Sequence, residues 1–97
     1  MGPQYVLIRD NMAGVFFGEL DSLDLAAGTW TLSTARKIWS WSRAGAVEGV
    51  AVRGIDPIKS RVTARTSGPV SGRSLVQVVY LTDAEHAALD SVPEWRP

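Results

Sequence analysis

The sequence predicts a single small α+β domain, a mainly antiparallel sheet with two short helices. Apolar runs of strand-forming residues recur at 5–9, 15–20, 29–33, 37–41, 61–66 and 74–81, separated by turn signals. Only 42–54 and 82–93 carry the punctuation of helices. A chain of 97 residues supports one core and little more, so residues 1–97 read as one domain.

The elements follow in order. Tyr5-Val-Leu-Ile-Arg9 is a strand, Asp10-Asn-Met-Ala-Gly14 a turn, and Val15-Phe-Phe-Gly-Glu-Leu20 the return arm of a hairpin. Ala27-Gly28 is a second turn, after which Thr29-Trp-Thr-Leu-Ser33 sets Trp30 and Leu32 on one face. Over 37–41, Lys37, Trp39 and Trp41 alternate with Ile38 and Ser40, the period of a strand. Ser42 is the expected N-cap of a helix over 43–53, ended by Gly54 and Asp56-Pro57, although its Gly and Val content gives it poor propensity. Residues 61–66 alternate as a half-exposed strand, 68–72 form a loop, and 74–81 are the most apolar strand. Thr82 and Glu85 have the spacing of a capping box, opening a helix to Leu89 or Asp90 that Pro93 prevents from continuing. Glu94-Trp95 reads as a tail able to pack back onto the fold.

Composition narrows the function classes. An apolar fraction of 45% and a charged fraction of 21% belong to a folded protein rather than a disordered one. With no cysteine, the chain has no disulfide, thiolate zinc site or cysteine nucleophile, and a cytosolic setting is expected. Met1-Gly-Pro-Gln-Tyr5 lacks the pattern of a signal peptide and no apolar run is long enough for a membrane span. Four tryptophans, a small core and several edge strands point to a homo-oligomer. Catalytic residue types are sparse. The single histidine, His86, reads as an exposed helical residue, and no nucleophile motif, phosphate loop or metal-ligand cluster occurs. The expectation is a non-enzymatic protein with no cofactor and no metal.

Charge is balanced overall but uneven along the chain. Residues 25–82 carry a net +6 and the two ends together −6. A basic middle between acidic flanks suits a localised anion site better than a long nucleic-acid track. Within it, residues 34–45 hold two tryptophans and three cations, with no acid between Asp24 and Glu48. Aromatic faces stack on bases, and arginines grip phosphates in bidentate geometry. The candidate ligand residues are therefore Arg36, Lys37, Trp39, Trp41, Ser42 and Arg43, with Arg73 joining from the second half. Ser42 enters as the helix cap, whose free N–H groups favour an anion. Arg36 and Arg43 read as exposed arginines whose loss leaves stability nearly unchanged. Trp39 and Trp41 equally suit a core or subunit contact.

Thr34-Ala-Arg-Lys-Ile-Trp-Ser-Trp41 and Val92-Pro-Glu-Trp95, with the strand 5–9 and the hairpin motif 13–18, resemble a family of small uncharacterised proteins of tailed bacteriophages and prophages, classed only as a domain of unknown function. The chain differs in carrying Ser40 where the family usually has an aromatic, and it departs locally over 60–75. The resemblance implies phage origin and work in the bacterial host cytoplasm. Together with the residue reading it gives the expected function: a phage accessory protein that sequesters a small anionic nucleotide-type ligand, a sponge for an immune signal. The other expectation is a phage structural or protein–protein interaction module, a virion decoration or host-factor inhibitor, served by exposed edge strands.

Overall fold

The computed structural model describes residues 2–40 and 46–95. Strands β1 (Tyr5–Asp10) and β2 (Gly14–Asp24) form the first hairpin, with Ile8 opposite Phe16 and Asp10 opposite Gly14. Its turn is built by Asp10, whose Oδ1 accepts the N–H groups of Met12 and Ala13. Strand β3 (Thr29–Ser40) returns along β2. At that second turn Asp24 Oδ1 accepts the Ala27 N–H, and Gly28 sits at φ 71°, where a Cβ would clash with its own backbone. Helix α1 (Val47–Arg53), the short strands β4 (Arg61–Val62) and β5 (Val70–Gly72), strand β6 (Leu75–Leu81) and helix α2 (Asp83–Asp90) complete the described chain.

The order across the sheet is β4-β3-β2-β1-β6, and every pairing is antiparallel. Strand β3 is long enough for two further partners: β5 at Trp30–Leu32 and β4 at Ile38 and Ser40. Two register shifts in the β2–β3 ladder, around Leu20, bend this long hairpin. A Cβ on Gly18 would lie 2.2 Å from the Thr34 carbonyl oxygen, so only glycine admits the close approach there. The curl carries the Gly28 turn round to β6, where its carbonyl accepts the Leu75 N–H.

Two cores result, one on each face of the sheet. Leu7, Phe17, Ile38, Val62 and Leu81 lie beneath Val47, Val50 and Ala51 of α1 and Leu89 of α2. On the other face Val6, Ile8, Trp30, Leu32 and Ala35 fill the hollow of the curl. Buried Asp10 pins that second core: its Oδ2 accepts the Trp30 Nε1–H at 2.7 Å and the Ser74 N–H at 2.9 Å. Burial alone would raise its pKa, but hydrogen bonds from Trp30, Ala13, Ser74 and Met12 outweigh it and hold the carboxyl below 3.8.

The α+β class, the first hairpin and the Thr82 capping box stand as the sequence predicts. Thr82 accepts the Glu85 N–H and Glu85 accepts the Thr82 N–H. The tail also packs back, with the Trp95 N–H donating to Val62 O and Arg61 4.8 Å above the Trp95 ring. Four elements differ. The strands expected at 29–33 and 37–41 are one continuous strand through Ser40, because nothing in Thr34-Ala-Arg36 breaks extended backbone. The strand expected over 61–66 is a ladder only at Arg61–Val62. Beyond it, the Thr63 and Thr66 hydroxyls accept the Lys37 and Ala35 N–H groups in place of main-chain carbonyls. The loop expected over 68–72 contains β5, recruited by the start of β3. The first helix begins at Val47 with Ala46 at its N-cap. The expected cap Ser42, together with Trp41 and Arg43, lies outside the described residues.

Candidate functional site

The cations and aromatics of 34–40 separate by strand alternation. Lys37 and Trp39 project from the sheet face opposite the helices, whereas Arg36 and Ile38 project beneath the helices. Trp39 is 62% exposed, unlike Trp30, which fills the second core. The Lys37 ammonium lies 4.8 Å from the centroid of the Trp39 ring and 5.6 Å from that of Phe16. Phe16 reaches this position because it stands opposite Lys37 in the β2–β3 register. Two aromatic faces thus hold one cation at the surface by cation–π attraction. Among the described residues no carboxylate forms an ion pair with Lys37.

Arg36 differs from its sequence reading. It is 6% exposed, and its guanidinium is spent on main-chain carbonyls. Nε donates to Thr63 O, Nη1 to Asp90 O and Nη2 to Val92 O, each at 2.8 Å. The last turn of α2 carries no basic residue, so Arg36 supplies from β3 the positive charge that the helix C-terminus favours. Asp90 Oδ1 lies 3.8 Å from Arg36 Nη1 and also pairs with Arg65. Burial and neighbouring Arg65 push the Arg36 pKa down, against the carboxylates of Asp90 and Glu94. An open cleft of about 350 Å³ borders this latch, lined by Arg36, Ala64, Arg65, Asp90, Val92 and Glu94. Its acids offset its arginines, so it does not present a concentrated positive field.

Arg73 is exposed but lies just beyond Gly72, the residue opposite Trp30. It therefore belongs to the start of β3, whereas Lys37 and Trp39 stand near its end. Of the seven candidate residues, the structure brings Lys37 and Trp39 together, commits Arg36 to the scaffold and sets Arg73 apart. Trp41, Ser42 and Arg43 lie outside the described residues. Sequence reasoning missed Phe16 and Arg65. A register could have pointed to Phe16; no local signal marks Arg65 as the second cation on Asp90.

His86 is also not the free surface residue expected. Its ring stacks on Tyr5 at 3.7 Å and 9° and meets the edge of Phe17 at 6.1 Å. Its Nε2 is buried without a hydrogen-bond partner among the described residues. Desolvation holds its pKa below 6.5, the nearby Asp90 carboxylate notwithstanding. Among the described residues no group of three or more His, Cys, Asp or Glu could hold a metal ion, and no helix is long and apolar enough to cross a membrane.

The chain belongs to the family described as "Domain of unknown function (DUF6948)", whose model matches residues 3–92. No curated protein and no solved structure matches it.

Proposed function

We propose that this chain is a non-catalytic binding module that takes a small anionic nucleotide-type ligand on the Lys37–Trp39 face. The observation that carries the reading is an indole 62% exposed with an ammonium 4.8 Å from its ring. A base stacked on Trp39 contributes roughly 1–3 kcal/mol, and Lys37 offers its charge to a phosphate. The next candidates along the sequence are Trp41, Ser42 and Arg43, of which the arginine has the planar fork that grips a phosphate in bidentate geometry. In this reading the protein is a phage accessory factor in the bacterial host cytoplasm that sequesters a nucleotide signal of host defence, with no cofactor and no long nucleic acid. A second reading, a phage protein–protein interaction module, draws on the uncharged outer strand β6.

The test is a thermal-shift screen against cyclic di- and trinucleotides and ADP-ribose. A ligand at about a thousand-fold over its Kd adds roughly 4 kcal/mol of stability. Trp39→Ala and Lys37→Ala should remove the shift while leaving the ligand-free Tm nearly unchanged, since both side chains lie outside the two cores. Absence of a shift with every probe, or full binding by Trp39→Ala, would overturn the reading.

A further inference from the structure

The two edges of the sheet are protected unequally. Edge strand β4 is two residues long, carries charged Arg61, and its Val62 carbonyl accepts the Trp95 N–H. Edge strand β6 is seven residues long, Leu-Val-Gln-Val-Val-Tyr-Leu, with no charge along it. Beyond β1 it has one described main-chain contact, at Leu75, where Gly28 O accepts the N–H. Among the described residues, no strand covers the outer edge of 76–81. Monomers usually guard such an edge with charge, proline or a covering segment.

We infer that the outer edge of β6 is the site where a second copy of this chain pairs, antiparallel and about a two-fold axis through Val78, so that the two sheets become one. The residues on this edge are self-complementary about that point. Val76 and Tyr80, 56% and 52% exposed, stand symmetrically on either side of Val78. Pairing there sets Val76 opposite the partner's Tyr80 and Tyr80 opposite the partner's Val76, two aromatic–aliphatic cross-strand pairs. The flanks agree in charge. Exposed Arg73 precedes the strand by two residues and exposed Asp83 follows it by two. The same apposition brings each Arg73 within reach of the partner's Asp83. A two-fold contact of this kind uses one patch twice and closes on itself. It also gives Arg73, which the fold holds away from Lys37 and Trp39, a role of its own.

Sedimentation equilibrium from about 1 to 100 µM tests the pairing, a range that brackets micromolar dissociation constants. The wild-type chain should sediment at twice its 10.5 kDa. Val76→Lys combined with Tyr80→Lys should give a monomer with an unchanged far-ultraviolet circular dichroism spectrum, because both side chains lie outside the cores. Arg73→Asp should raise the dissociation constant about tenfold or more, and adding Asp83→Arg should restore it. Trp39→Ala should remain a dimer, separating this surface from the ligand face. A wild-type monomer throughout that range, an open-ended assembly, or a dimer that survives both lysines would overturn the inference.

Discussion

Arg36→Ala should destabilise this protein severely, and the size of the effect follows from the latch. Three N–H groups of one buried guanidinium donate to Thr63 O, Asp90 O and Val92 O at 2.8 Å. A hydrogen bond from a charged donor contributes about 1.5–3 kcal/mol, and a buried carbonyl left unpaired costs about 1–3 kcal/mol. The adjoining cleft admits water to part of the vacated space, which lowers the total from the sum of three such bonds to about 3–5 kcal/mol. A domain of this length holds only about 5–15 kcal/mol of stability. Urea unfolding followed by tryptophan fluorescence would read the loss directly. Arg36→Lys keeps the charge but not the planar fork, so it should recover no more than about one of the three contacts. Amide exchange should accelerate first in α2, whose C-terminal carbonyls the guanidinium holds. A loss below about 1 kcal/mol for Arg36→Ala, or wild-type stability for Arg36→Lys, would refute the latch.

Two further outcomes follow. His86 has its folded pKa held below 6.5, so below that pH the unfolded chain takes up a proton that the folded chain refuses. Stability should therefore be complete above 6.5 and fall as the pH drops toward the folded value. The urea midpoint between pH 7.5 and 5.5 should decline for the wild type and stay flat for His86→Phe, which keeps the ring on Tyr5; equal slopes would refute this. Thr82→Ala removes one acceptor of the capping box and should cost about 1 kcal/mol in the same assay; an unchanged midpoint would refute the cap.

The sequence by itself determined what local chemistry governs. Asp10 and Gly14 mark the first turn, Ala27-Gly28 the second, and Thr82 with Glu85 a helix start, because turns and caps depend on residues within a few positions of one another. It also marked the stretch of tryptophans and cations from which the candidate site comes. Tertiary structure decided the fate of each residue within that stretch. Alternation sends neighbours to opposite faces, and only the placement of the helices says which face is covered. Arg36 is thereby consumed by carbonyls 27, 54 and 56 residues away, while Lys37 and Trp39 emerge together. The hydroxyls of Thr63 and Thr66 replacing a ladder, and Gly28 closing on Leu75, are likewise long-range pairings. Spacing along the chain fixes where side chains can point. Which buried acceptor, ring or open edge they meet depends on how the bent β2–β3 hairpin curls the sheet.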